Sequence, residues 1–299
     1  MYDIVIVGAG PAGLTAAIYA RRAQKKVLVL EALSYGGQII NTQNIENYPG
    51  YEHISGFDFA TNLYNQAKNL GAEIKFEKVI DIKENEVITT KNNYETKTII
   101  LATGLENRKL GIENEKKLIG KGVSYCATCD GAFYKGKDVA VVGGGNVAIE
   151  DAIYLSDMCK TVYLIHRNET FKAEQMLIDK LKQKQNVKII LNSNVTKLNY
   201  DEKLNSIIIT NKENNQELKV EGIFIAVGKI PENGNFEKLI ETDKFGYIIT
   251  KENCHTNIEG IFAAGDNRVK QLRQLVTATS DGAIAATEAI KYINKKNIN

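Results

Sequence analysis

The chain has 299 residues, long for one α/β domain and comfortable for two. Hydrophobic residues make up 43%, enough for a sizeable core, which excludes a disordered or fibrous chain. Its 38 basic and 36 acidic residues nearly cancel and are spread along the sequence, leaving no basic run for nucleic acid and no acidic tail.

Met1-Tyr2-Asp3 leads straight into an apolar run, without the charged and apolar regions of a signal peptide. No uninterrupted apolar stretch approaches a membrane span, so the expectation is a soluble cytoplasmic protein. Residues 3–7 read as a buried parallel strand, and Gly8-Ala-Gly10-Pro-Ala-Gly13 follows as a turn into a helix, Leu14 to Arg22. The next strand, 27–30, ends on Glu31 and completes a βαβ unit. Its glycines allow a tight turn and close approach to a pyrophosphate, the helix N-terminus offers N–H groups, and Glu31 suits ribose hydroxyls. Residues 57–70 read as a helix, 73–100 as short strands, and 98–104 as a strand running into Gly104.

The plan then restarts. Residues 138–142 form a strand, Gly143-Gly-Gly145-Asn-Val-Ala148 a second fingerprint, and 149–157 a helix. The strand 161–165 ends not on an acid but on His166-Arg167, with Lys172 nearby; a cationic end attracts a 2′-phosphate and favours NADPH over NADH. A helix at 173–185 and strands near 187–191, 195–199, 206–210 and 223–228 follow. The tail holds a strand at 260–264 and a helix from about Ala278 to Ile293, and reads as a piece returned to the first domain. Two copies of one plan point to two related nucleotide-binding domains. Only six of the cationic residues are Arg, so each retained Arg, Arg167 among them, is a better candidate for a constrained position than a Lys.

There are four cysteines, at 126, 129, 159 and 254, too few for a disulfide scaffold. A C-x-x-C pair is half a metal site, a redox pair or chance. Cys159 and Cys254 stand far apart and the three histidines are scattered, which speaks against a metal. Asp130 follows Cys129 directly; thiol–disulfide exchange needs a proton for the leaving thiolate, and an adjacent carboxyl can supply it, although such an acid also serves as an ordinary cap. Cys159 and Cys254 read as isolated thiols.

These residues resemble the low-molecular-weight, bacterial-type thioredoxin reductases of the pyridine nucleotide-disulfide oxidoreductases. The likeness runs from residue 3 to about 290. It rests on GAGPAG at 8–13, GGQ at 36–38, ENYPG at 46–50, ATG at 102–104, VSYCATCDGAF at 123–133, GGGNVAIE at 143–150, AAGD at 263–266 and RQLVTATSDG at 273–282. The resemblance implies an α/β protein of two Rossmann-like, three-layer ββα domains. An FAD domain of residues 1–104 and 234–299 would hold an inserted NADPH domain, 105–233, carrying the dithiol. It implies that Gly8, Gly10, Gly13, Glu31, Gln38, Asn47, Asp266 and Gln274 line FAD, and that Gly143, Gly145, Ala148, His166, Arg167 and Lys172 bind NADPH. Cys129 would be the thiol nearer the flavin, Cys126 the one attacking thioredoxin, and Asp130 the proton donor. A homodimer is implied as well. The family's phosphate motif HRRxxxR here reads His166-Arg167-Asn168-Glu169-Thr170-Phe171-Lys172, so one Arg has become Asn and the last Lys. Rival readings are the same engine with NADH or ferredoxin as donor or another acceptor protein, and a flavin sensor without turnover, against which an intact C-x-x-C-D argues.

Overall fold

Ile4, Val5, Ile6 and Val7 are buried whichever way they point, as a central parallel strand requires. A computed structural model, describing residues 1–42, 44–212 and 214–296, places them in the strand Tyr2–Val7. The chain divides into two units, Met1–Glu106 with Ile230–Asn299, and Asn107–Lys229.

In the first unit a parallel sheet runs in the order Glu73–Phe76, Val27–Glu31, Tyr2–Val7, Asn93–Leu101, Ile261–Ala263. The strand Asn93–Leu101 serves twice, since its first residues also pair antiparallel with Glu86–Thr89, which pairs with Val79–Lys83. Side chains alternate across the sheet. Ile4, Ile6, Val29, Ile100 and Phe262 face the helices, while Val5, Val7, Leu28 and Leu30 pack with Val87 and Tyr94 on the other side. The helix Pro11–Arg22 begins with Pro, whose fixed φ suits the first turn, and ends on Arg21 and Arg22. The helix Leu275–Lys296 lies close along it. A Cβ on Gly282 would strike the Ala12 carbonyl, so only Gly allows this approach.

The second unit repeats the scheme. Its parallel sheet runs Val187–Ile190, Thr161–Ile165, Asp138–Gly143, Gly222–Ala226, Val123–Ser124, and its antiparallel layer is Asn194–Tyr200, Leu204–Thr210, Asn215–Lys219. Val139, Val141, Leu164 and Phe224 pack on the helix Asn146–Ser156; Ala140, Val142, Ile165 and Ile223 face the antiparallel layer. Two Rossmann-like, three-layer ββα units are therefore present. Among the described residues no helix is long and apolar enough to cross a membrane.

The differences from the sequence reading are local. The strand Asn215–Lys219 was not anticipated; four of its five residues are exposed, so no apolar alternation marks it. The last helix starts at Leu275 rather than Ala278, because Thr277, Ser280 and the buried Asp281 interrupt the apolar pattern. The helix read at 173–185 is Gln175–Lys182.

Candidate active site

At the C-terminal end of the first sheet, Gly8 turns with φ +108°, and a Cβ there would strike the Ala102 carbonyl. Gly13 packs on the Gly8 carbonyl, so its role is close helix–strand contact. Gly10 caps the helix Pro11–Arg22 without a side-chain hydrogen bond, leaving first-turn N–H groups for an anion. Glu31 Oε2 accepts the Ala9 N–H at 2.8 Å and Oε1 accepts Leu33 N–H at 3.0 Å. A carboxylate has further lone pairs for ribose hydroxyls.

The Gly36 N–H bonds the Ala9 carbonyl at 2.8 Å and brings the short helix Gly37–Asn41, with Gln38, beside the glycine turn. A Cβ on Gly37 would stand 3.3 Å from Gly10 Cα and 4.0 Å from Pro11 Cδ, so backbone and the edge of a proline ring wall this side of the turn. Gly265 comes so near the start of Pro11–Arg22 that its Cβ would lie 2.9 Å from Ala12 Cβ, which delivers Asp266 to the same helix end. Asn47 Nδ2 donates to Gln274 Oε1 at 3.2 Å. Gly8, Gly10, Gly13, Glu31, Gln38 and Asp266 thus surround one helix N-terminus, and Asn47 and Gln274 meet each other. A glycine-walled, uncapped helix end with an acid on the next strand fits a dinucleotide such as FAD.

The second glycine turn has the same form. Gly145 caps Asn146–Ser156 without a side-chain bond, and Ala148 is fully buried behind it. His166 is 8% exposed; it packs under Gly144, stacks on Phe171 at 5.5 Å and bonds the Thr170 carbonyl at 3.1 Å. Burial lowers its pKa, outweighing that bond, with Arg167 and Lys172 adding to the effect. His166 therefore braces the turn as a neutral ring, and the cationic character expected of this strand end belongs to the exposed Arg167 and Lys172. The backbone N–H of Lys172 bonds the Gly144 carbonyl at 2.7 Å, which holds the 166–172 loop against the turn.

The dithiol emerges from the C-terminal end of the edge strand Val123–Ser124, where ligands of open α/β sheets gather. Cys126 and Cys129 are joined as a disulfide, with Cα atoms 5.3 Å apart across the one-turn helix Ala127–Asp130. Cys126 is half-buried and Cys129 exposed. The Cys126 sulfur accepts the Cys129 N–H at 3.2 Å and lies 3.3 Å from Thr128 Oγ1. Asp130 Oδ2 receives a hydrogen bond from Ser124 Oγ at 2.6 Å. Behind the loop the buried Glu115 accepts the N–H groups of Leu110 and Gly111 and the Tyr125 hydroxyl, the last at 2.6 Å. Ser124 and Glu115 were missed from sequence. Glu115 follows the exposed Glu113 with nothing in the sequence to mark its burial, and Ser124 carries no chemistry evident from its residue type. Cys159 and Cys254 are buried and unpaired, their thiols pushed by burial up to about 11 and about 12, so neither is poised for exchange.

The pyridine nucleotide-disulphide oxidoreductase family matches residues 2–282. A thioredoxin reductase of Listeria innocua is 43% identical over 302 residues, spanning 99% of this chain and 95% of that protein. The solved thioredoxin reductase of Lactococcus lactis is 39% identical, with a TM-score of 0.91 over 99% of this chain and 100% of that one. A ferredoxin-flavin thioredoxin reductase from Clostridium acetobutylicum is 30% identical, with a TM-score of 0.54 over 100% of this chain and 99% of that one. Paired Rossmann-like units, a disulfide at the edge of the second and likeness along nearly the whole chain agree: this protein belongs to the pyridine nucleotide-disulphide oxidoreductases, among their low-molecular-weight thioredoxin reductases.

Proposed function

We propose that the protein is a thioredoxin-disulfide reductase in the cytoplasm, supplied with electrons by NADPH through FAD. The observation that carries this reading is the Cys126–Cys129 disulfide, followed at once by a hydrogen-bonded acid, on the edge of a second dinucleotide-type sheet. Bound FAD supplies the exchange between a two-electron hydride donor and a disulfide. Unit one, 1–104 with 234–299 in the sequence reading, would hold FAD through Gly8, Gly10, Gly13, Glu31, Gln38, Asn47, Asp266 and Gln274. The inserted unit would hold NADPH through Gly143, Gly145, Ala148, Arg167 and Lys172, with His166 beneath the turn.

The output step balances on this chain's own atoms. The Cys126 thiolate attacks one sulfur of the acceptor disulfide, forming a mixed disulfide. The displaced thiolate takes a proton from Asp130. The Cys129 thiolate then attacks the Cys126 sulfur, closing the enzyme disulfide and freeing the acceptor's second sulfur. Two electrons have moved from enzyme to acceptor. Phe133 stands 74% exposed four residues beyond Cys129, an apolar contact suited to a protein acceptor.

Cys126→Ser and Cys129→Ser should each abolish thioredoxin reduction while flavin bleaching by NADPH, followed by stopped flow, persists. Cys129→Ser should also accumulate a mixed disulfide with thioredoxin at Cys126. Trapping by Cys126→Ser instead would reverse the two roles. Bleaching by reduced ferredoxin but by neither pyridine nucleotide would replace the donor.

A further inference from the structure

Ser124 ends the edge strand, is 3% exposed, and its hydroxyl bridges the Cys126 peptide and the Asp130 carboxyl at the turn into the dithiol. Its Oγ accepts the Cys126 N–H at 3.0 Å. It lies within donating distance of the Cys126 carbonyl at 3.2 Å and of Asp130 Oδ2 at 2.6 Å. A hydroxyl has one proton and two lone pairs. One lone pair takes the Cys126 N–H; the proton goes to one of the two oxygens, which leaves the second lone pair toward the other.

This geometry serves both forms of Asp130 without moving a heavy atom. With Asp130 ionised, the Ser124 O–H donates to Oδ2. With Asp130 as the acid, either the serine still donates to Oδ2 while the acid proton rides on Oδ1, or the acid donates to Oγ and the serine proton swings to the Cys126 carbonyl. A hydrogen bond to a carboxylate is roughly twice as strong as one to the neutral acid. The contact is therefore kept through the transfer, and the carboxyl stays at one place relative to the Cys126 peptide.

We propose that Ser124 is a positioning residue for proton transfer, fixing Asp130 relative to the Cys126 peptide while a leaving thiolate is protonated. The inference rests on the thiol–disulfide role assigned to Asp130 above. Removing a charge-assisted bond of this kind should slow the dithiol step by about ten- to a hundred-fold. Ser124→Ala should do so while reduction of the flavin by NADPH stays at the wild-type rate, and Ser124→Thr, which keeps the hydroxyl, should restore most of the loss.

The decisive readout needs no turnover. The pair in the holoprotein is reduced with dithiothreitol, and its alkylation by iodoacetamide is followed from acid to alkaline pH. Ser124→Ala should displace that pH profile, and in an Asp130→Asn background Ser124→Ala should change neither profile nor rate any further. An undisplaced profile in Ser124→Ala, or full additivity of the two substitutions, would overturn the proposal even if activity fell, because the serine would then be acting on the loop's fold alone. A wild-type protein whose dithiol exchanges with a small aromatic disulfide but not with thioredoxin would overturn the acceptor and leave the Ser124 test intact. A wild-type protein with no dithiol exchange would overturn both.

Discussion

His166 is read from sequence as part of a cationic strand end, yet in the fold it is a buried, neutral ring beneath Gly144. A 2′-phosphate would then meet Arg167, Lys172 and the uncharged Asn168. A charged contact to phosphate is worth roughly 1.5–3 kcal/mol, so one missing Arg lowers discrimination by about one to two decades. NADPH should still exceed NADH in kcat/KM. Asn168→Arg should widen the margin and Arg167→Ala collapse it; parallel kinetics with both nucleotides measure this, and a wild-type preference for NADH would refute the assignment. Sequence carried the glycines, the acid and the cysteines because each is a residue type that a named task demands. It did not carry Ser124 or Glu115, whose task exists only once the 110–130 segment has folded and buried them.

Among the elements, the helix Leu275–Lys296 is pinned to the sheet by one buried carboxylate. Asp281 accepts Gly265 N–H at 3.0 Å, Arg268 through Nε at 2.9 Å and Nη2 at 2.8 Å, and Lys270 Nζ at 2.8 Å. Burial alone would raise its pKa; the bonds from Arg268 and Lys270 overcome this and hold it below the ordinary carboxylate range. A depressed folded pKa means that the contribution is fully present above the unfolded value, ~4, and is lost as pH falls through the lower folded value. Asp281→Asn leaves Arg268 buried without its counter-charge and should cost about 3–5 kcal/mol at neutral pH. Urea melts of wild type and variant should converge as the pH drops below ~4, and an equal gap at both pH values would contradict the ion-pair account. The βαβ units were legible because buried parallel strands are uninterrupted apolar runs bounded by glycine. Val123–Ser124 and Ala127–Asp130 were not, since two- and four-residue elements are too short to show a period.

At the scale of the molecule, the duplication seen in sequence appears as two sheets with one strand order, but the last slot is filled differently. In the first unit the slot beside the final long strand holds Ile261–Ala263, from the end of the chain, and leads to Gly265-Asp266. In the second it holds Val123–Ser124, which precedes that unit's core, and leads to the dithiol. If only the first unit holds flavin, purified protein should carry one FAD per chain through gel filtration, by absorbance against protein mass. Leu33, Phe57 and Leu272 stand 87%, 58% and 56% exposed on that unit, and a homodimer should bury such apolar surface. Sedimentation at a monomer's mass, or a colourless protein that gains no flavin on incubation, would count against these expectations.

The filling of that slot has a consequence for descent. The stretch from Val123 to Lys137 enters the second sheet ahead of the strand Asp138–Gly143, which leads into the second glycine turn. Mutation or recombination can therefore rewrite the electron outlet without touching either glycine turn. A lineage built this way can exchange acceptors while it inherits its electron source, and the two ends of the circuit are free to evolve at different speeds.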